Sequence, residues 1–276
     1  MSIKQTLSDL GVRPSKGRGQ NFLLNLSIAD QIVDSFHVAR DEPVLEIGPG
    51  LGVLTQRLIR KTSLLRAVEV EESFCDHLRR TFPELSGDSV VNADIREVAL
   101  SEVVPENWCR VKIVSNVPYS ISSSVVLWVL AQGERVSSAH LLLQEEFAHR
   151  VCSDPGTKSY GSLSVYCRLL ADTQLGISID GNSFYPKANV SSSLLTIRPL
   201  AKPRLDVDLE IFERTTRAAF STRRKTLLNS LANGLGLERS DIQSIIQDAG
   251  IDPLRRAETL SLEEFAELSR CVGARS

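Results

Sequence analysis

The order of apolar runs predicts an α/β chain: a doubly wound parallel sheet over residues 1–200, then a small all-helical domain over 206–276. Three observations carry this. Strand-type runs alternate with helical patterns for about 190 residues, as βαβ units require. The first clear strand runs straight into a glycine-rich turn and a helix. After Pro199 and Pro203 the texture changes, and no further strand-type run appears.

Bulk properties fit a soluble globular protein. Of 276 residues, 42% are apolar and 24% charged, an ordinary balance for one large and one small domain. The opening MSIKQTLSDLGVRPSKGRGQ has no apolar core of signal-peptide length, and no run approaches membrane-spanning length. The 5 cysteines are scattered, never in a CxxC pair, and the 4 histidines stand apart without metal-ligand spacing. The expectation is a cytoplasmic protein with reduced thiols, no membrane partner and no metal.

Taken in order, Gly17–Leu23 is a glycine-loosened basic loop ending in an amide and an aromatic. Ser27-Ile28-Ala29-Asp30 reads as a capping box with Asp in place of Glu, and Ile28, Ile32 and Phe36 then predict an amphipathic helix over about 27–38. Val44–Ile47 is a short apolar strand, followed by Gly48-Pro49-Gly50-Leu51-Gly52 and a helix to about Arg60. The glycines let the backbone approach a ligand, and the helix start offers free N–H groups. ExGxGxG departs from the dinucleotide fingerprint GxGxxG: Pro49 removes an N–H that a pyrophosphate would use. Glu46 repels a diphosphate and suits a cation. The turn therefore points from a nicotinamide dinucleotide toward S-adenosylmethionine, whose sulfonium is positive and which carries no phosphate.

The strand over 64–70 supplies Glu69, about 20 positions after Gly48, where an acid reaches ribose hydroxyls in such units. The other reading is a plain helix-start acid. A helix over about 71–81 follows. Val90–Asp94 then ends in a second acid, Asp94, placed to accept from an adenine amino group. The strand from Val111 stops at Asn116-Val117-Pro118-Tyr119. Asn116 brings an amide acceptor, Pro118 a carbonyl with no N–H beside it, and Tyr119 a flat face for a base. Alone, this is equally a strand running into a proline turn. A helix from Ser122 with good caps, a strand at 140–144, helices at 145–151 and 163–170, and strand-type runs at 173–179 and 192–198 complete the domain. Phe184–Ser192 joins the last two runs; it reads either as one wall of a base pocket or as a connecting loop with buried aromatics.

From about Asp208 the pattern is helical, with capping boxes at Ser240–Gln243 and Ser261–Glu264. Charge is segregated. Windows 11–29, 181–205 and 214–237 hold no acid and carry +12, leaving −14 on the remainder of a chain whose net charge is −2. Basic stretches of this kind are the footprint of polyanion binding or three unrelated solvated segments.

At these residues the chain resembles the ribosomal RNA adenine dimethyltransferase family, S-adenosylmethionine-dependent enzymes that dimethylate adenine N6. The resemblance runs end to end. It covers GRGQNFL at 17–23, EIGPGLG at 46–52, Glu69, Asp94, NVPY at 116–119, LQEEFAHRV at 143–151 and YGSLS at 160–164. It continues with FYPKANVSSS at 184–193, FSTRRKTLLNSL at 220–231 and GIDPLRRAETLSLEEF at 250–265. An aliphatic residue before a single proline, as at Val117, separates these RNA enzymes from DNA adenine methylases. The tail looks most like the small-subunit branch, which modifies two adjacent adenosines in a loop near the 3′ end of 16S rRNA. Relatives that methylate large-subunit rRNA and confer macrolide resistance match this tail poorly.

The resemblance implies a Rossmann-like class I methyltransferase domain with a helical RNA-binding domain. It implies S-adenosylmethionine held by Asn21, Leu23, Gly48, Glu69, Asp94 and Asn116, with S-adenosylhomocysteine as product and no metal. The target adenine would lie against Tyr119 with Phe184 on its other face, its amine hydrogens taken by the Asn116 oxygen and the Pro118 carbonyl. Arg18, Arg223, Arg224 and Lys225 would grip RNA, the partner being 16S rRNA in an immature small subunit and the enzyme a monomer. One departure is visible: the family pattern F-x-P-x-P-x-V has Ala188 at its second proline, which makes the loop around Phe184 less rigid. Other readings are a dinucleotide oxidoreductase, a large-subunit rRNA methyltransferase and an assembly factor acting by binding.

Overall fold

The structure, a computed structural model, describes residues 3–14, 20–85 and 87–275. In chain order the elements are α1 (Ile3–Asp9), β1 (Phe22–Leu23), α2 (Leu26–Ser35), β2 (Val44–Ile47), α3 (Thr55–Lys61), β3 (Leu65–Glu69), α4 (Glu72–Thr81) and β4 (Val90–Asn92). There follow α5 (Leu100–Val103), β5 (Val111–Asn116), α6 (Ser122–Ala131), β6 (Val136–Gln144), α7 (Glu145–Val151), α8 (Ser162–Leu170), β7 (Ala171–Ile179), β8 (Phe184–Tyr185) and β9 (Ser192–Pro199). Helices α9 (Leu209–Ala219), α10 (Leu227–Leu235), α11 (Arg239–Asp248) and α12 (Leu262–Gly273) end the chain.

Near-continuous apolar runs are what a strand covered on both faces needs, and β2 is buried at all four positions. It lies in a seven-stranded sheet of order β4-β3-β2-β5-β6-β9-β7. Strands β2 to β6 pair in parallel, but β9 runs antiparallel to β6, with Leu141 opposite Leu195. The sheet is therefore mixed, not parallel throughout. β9 follows β7 through a connection without an α-helix, and the apolar pattern of a strand carries no information about its direction.

The chain divides into two compact units, Met1–Ala148 with Gln174–Pro199, and His149–Thr173 with Leu200–Ser276. The tail is helical, as the pattern predicts, but residues 149–173 group with it instead of with the sheet. Tyr160, Val165 and Leu169 enter the same core as Phe212, Leu231, Ile245 and Phe265, which supplies the reason.

Three cap readings change. Asn25, not Ser27, caps α2, accepting from Ser27 N at 3.0 Å and Ile28 N at 3.3 Å. Asp30 is then free for another task, and pairs with Arg57 of α3 at 2.6 Å. Ser122 lies inside α6, whose first turn has no side-chain cap, and α11 begins at Arg239, ahead of the expected box at Ser240. The box at the start of α12 forms: Glu264 N donates to Ser261 Oγ at 3.2 Å and Ser261 N to Glu264 Oε2 at 2.8 Å. Among the described residues no helix is long and apolar enough to cross a membrane.

Candidate active site

The carboxyl ends of β2, β3 and β5, with the residues that follow β4, open on one cavity of about 520 Å³. It lies where the order of strands reverses, β3 and β4 to one side of β2 and β5 and β6 to the other, which is where open α/β sheets take ligands. Asn21, Leu23, Gly48, Glu69, Asp94, Asn116, Pro118 and Tyr119 all line it.

The glycine turn is built around backbone angles that side chains avoid: φ is +65° at Gly48, +55° at Gly50 and +79° at Gly52. Glu69 fixes this turn from the neighbouring strand. Its Oε2 accepts from Gly50 N and its Oε1 from Glu71 N, each at 3.0 Å. Glu69 is 6% exposed, and burial raises its carboxyl above the ordinary range against the opposing pull of those two donors. Each oxygen keeps a lone pair for a further donor such as a ribose hydroxyl.

Glu46, at 1% exposure, accepts from Thr55 Oγ1 at 2.7 Å. Burial, reinforced by the negative charge of Glu69, pushes its carboxyl up to about 7. Asp94 has the opposite history. The Arg96 side chain donates to it from Nε at 2.9 and 3.1 Å and the Arg96 backbone at 2.9 Å. The side-chain bond to Arg96 is the main cause holding its carboxyl below the usual range. Arg96 carries no sequence signal of its own; it sits two residues past a strand-end acid in a polar turn.

At the end of β5, Asn116 Nδ2 donates to the Asn21 carbonyl at 2.9 Å, so Oδ1 is the amide atom left to accept. The Pro118 carbonyl accepts from Ile121 N at 3.0 Å, closing the turn after the strand and leaving one lone pair. The Tyr119 hydroxyl pairs with Ser192 Oγ at 3.0 Å, which fixes the ring from its far end. Burial raises that phenol's pKa.

Two aromatics differ from the sequence reading. Phe22 lines the cavity, edge-on to Phe74 with centroids 5.8 Å apart, and its ring is 3.2 Å from where a Cβ on Gly50 would stand. Its only prior signal was its place after Asn21. Phe184, expected against the adenine, is not on the cavity wall. It is 2% exposed, because β8 pairs antiparallel with β1 and sets it opposite Leu23 in the core on which Tyr119 packs. Ala188, the departure from the proline pattern, donates its N–H to the Gly181 carbonyl at 3.1 Å, a bond proline cannot make.

Of the expected RNA contacts, Arg18 lies outside the described residues. Arg223, Arg224 and Lys225 occupy the exposed turn between α9 and α10. Arg223 is engaged within its own unit, donating to the carbonyls of Lys158 and Tyr160.

The donor set around the cavity fits a nucleoside with a cationic tail. Carboxylates end adjacent strands, the glycine turn offers a close backbone approach, and Val70 and Ile95 add apolar wall. Glu46, Glu69, Glu71 and Asp94 outnumber Arg96, which disfavours a diphosphate.

Comparison with known proteins agrees with this reading. The family model for ribosomal RNA adenine dimethylases matches residues 14–272. Proteins called ribosomal RNA small subunit methyltransferase A are similar over nearly the whole length. The one from Geobacter metallireducens is 40% identical over 96% of this chain and 97% of its own. The one from Clostridioides difficile is 36% identical over 99% of this chain and 96% of its own. Among solved structures, a dimethyladenosine transferase from Plasmodium falciparum has a TM-score of 0.73 at 20% identity, covering 90% of this chain and 95% of that one. The 23S rRNA methyltransferase ErmE has a TM-score of 0.63 at 26% identity, covering 92% and 100%.

Proposed function

The chain belongs to the ribosomal RNA adenine dimethylase family, and we propose that it dimethylates N6 of two adjacent adenosines near the 3′ end of 16S rRNA in the immature small subunit. The observation that carries the reading is the geometry at Asn116. Its amide is oriented by the Asn21 carbonyl, beside a proline carbonyl and a hydroxyl-anchored tyrosine, in a cavity shaped for a nucleoside.

S-adenosylmethionine supplies the methyl group, as a carbon electrophile on a sulfonium that leaves as neutral S-adenosylhomocysteine. Glu69 takes ribose hydroxyls and Asp94 the adenine amino group, while Gly48 and the backbone of Asn21 and Leu23 close the cradle. The target adenine lies against Tyr119. The N6 lone pair of adenine is delocalised into its ring and is a poor nucleophile. Asn116 Oδ1 and the free lone pair of the Pro118 carbonyl accept the amine hydrogens, which draws the nitrogen lone pair out of conjugation. Catalysis is then positioning plus preorganised acceptors, without a strong base: once the N–CH3 bond has formed and the S–CH3 bond has broken, N6 is cationic and strongly acidic and releases its proton to water. Monomethyladenine retains one N6 hydrogen, so one of the two acceptors serves a second round, which needs only room for the first methyl group.

A base that reacts at N6 must leave its stack, which favours a loop of single-stranded RNA. Arg224 and Lys225, exposed in the α9–α10 turn, hold the backbone of that RNA. Phe184 buttresses Leu23 and Tyr119 from the core instead of stacking on the substrate.

The test is to incubate the purified chain and labelled S-adenosylmethionine with unmethylated small subunits, with large subunits and with protein-free rRNA. Label in small subunits, recovered as N6,N6-dimethyladenosine, is the expected result. Label confined to large subunits would replace the proposed substrate, and the absence of transfer to any RNA would remove the proposed activity.

A further inference from the structure

The carboxylate of Asp94 stands in the cavity wall with its acceptor sites taken by one neighbour. A carboxylate offers about four lone pairs. Oδ1 accepts from the backbone N–H of Arg96 and from its Nε, each at 2.9 Å. Oδ2 accepts from the same Nε at 3.1 Å and from Nη2. The local sequence produces this. Asp94 opens a turn in which Glu97 N donates to its carbonyl at 3.0 Å, and the turn folds Arg96 back over the acid.

The backbone here is fixed and the guanidinium is not. Just past the turn, Trp128 Nε1 donates to the Val98 carbonyl at 2.8 Å and Ala99 N to Glu102 Oε2 at 2.6 Å. The Arg96 side chain is 49% exposed, against 18% for that of Asp94, and Asp94 is its one ion-pair partner among the described residues. Glu97 is exposed, forms no ion pair among the described residues, and attracts Arg96 by its charge. A guanidinium that leaves Asp94 therefore has a second carboxylate to face.

We propose that Arg96 is a positioning residue that gates the adenine end of the cofactor cavity: it and the cofactor's amino group compete for the Asp94 carboxylate. The inference rests on the proposed function, which gives Asp94 to that amino group, and adds Arg96 as the residue that sets the strength of the contact. A neutral amine gains its bond to Asp94 only as a charge-assisted pair opens, so Arg96 weakens the hold on cofactor and product alike. This suits the reaction. Two transfers to one N6 consume two cofactors, so product must leave the cavity between rounds. The pair is bidentate but half in water, which limits its net strength, and the gate lowers affinity by about three- to tenfold.

The test uses the full-length chain with S-adenosylhomocysteine and its 6-deamino analogue, which carries hydrogen in place of the adenine amino group. Calorimetric titration gives both affinities for the wild type, Arg96→Met and Asp94→Ala, at about 50 and about 500 mM salt, a range over which exposed ion pairs are screened. Arg96→Met is expected to tighten S-adenosylhomocysteine by about three- to tenfold and the deamino analogue not at all. The wild type's preference for the amino ligand is expected to grow with salt, and that of Arg96→Met to stay level. Asp94→Ala is expected to abolish the preference. Binding of S-adenosylhomocysteine that is unchanged or weaker in Arg96→Met overturns the inference and makes Arg96 a support for Asp94. Equal tightening of both ligands overturns it as well, since a wider cavity explains that. The salt series needs no variant, and a wild-type preference that stays level or falls with salt also overturns the gate. A preference that survives Asp94→Ala takes the amino group away from Asp94, and the inference with it. A wild type that binds neither ligand overturns the cofactor reading itself.

Discussion

The side-chain amide of Asn116 donates to the backbone carbonyl of Asn21 at 2.9 Å, tying the end of β5 to the loop that leads into β1. A carbonyl accepts only from a donor, so this one bond decides which way the carboxamide faces and presents its oxygen as the acceptor.

Asn116→Ala removes both the acceptor and the tie. Loss of one preorganised group at a reacting centre costs about 10²–10³ in kcat, so methyl transfer is expected to fall at least that far with the fold intact. Asn116→Asp tests orientation: a carboxylate faces the Asn21 carbonyl as acceptor against acceptor, and it too is expected to lose activity by about 10² or more. Single-turnover transfer with circular dichroism as the folding control checks both. An active Asn116→Ala enzyme would sink the mechanism.

Tyr119 separates anchoring from stacking. Tyr119→Phe removes only the bond to Ser192 Oγ, 3.0 Å away, and about 1 kcal/mol is expected from a net hydrogen bond. Tyr119→Ala removes the face, and base stacking is worth about 1–3 kcal/mol. The KM for RNA should therefore rise severalfold in the first variant and by about ten- to a hundredfold in the second. Equal effects in the two would mean the ring is a packing residue and nothing more.

Much of this site was legible because it is written in strand ends. Gly48, Glu69, Asp94 and Asn116 each follow an apolar run, and a parallel sheet carries such positions to one edge. What was not legible depends on pairs without local pattern. β1 and β8 have two residues each, too few to show a period, so their pairing leaves no trace in the sequence, and without it the pocket-wall and buried-loop readings of Phe184 stay level. Arg96 and Arg223 look like any surface cation until the partner carbonyl or carboxylate is in place. The transfer of residues 149–173 to the helical unit is decided by tertiary packing around Tyr160 and Phe212, and the direction of β9 by a connection whose outcome the apolar pattern of the strand does not encode.

Gly52 is the tightest point of the glycine turn. A Cβ there would stand 2.9 Å from Phe82 Cζ and 3.1 Å from a Leu78 methyl, at φ +79°. Gly48, at φ +65°, has nothing within 4 Å of its own. Gly48→Ala therefore carries backbone strain alone, about 1–2 kcal/mol, whereas Gly52→Ala adds overpacking of about 1–3 kcal/mol. Thermal melts should rank wild type above Gly48→Ala above Gly52→Ala, and the reverse order of the two variants would contradict the packing described for α4.

Glu46 gives the cavity a pH dependence with a defined sign. Its carboxyl rises from 4.5 to about 7, chiefly through burial. The folded chain thus keeps the proton over a range in which the unfolded chain has released it. Stability falls as pH rises from about 4.5 to about 7 and levels off above, by about 3 kcal/mol in all. Glu46→Gln is expected to flatten this part of the melting profile. Binding a sulfonium favours the ionised carboxylate and works against the same proton. Affinity for S-adenosylmethionine relative to neutral S-adenosylhomocysteine should therefore increase with pH, by up to about tenfold per unit below 7. Glu46→Gln should abolish that trend while still binding both. Calorimetric titration of the two ligands between pH 5.5 and 8 reads the ratio directly, and a ratio independent of pH in the wild type would show that Glu46 does not answer the sulfonium charge.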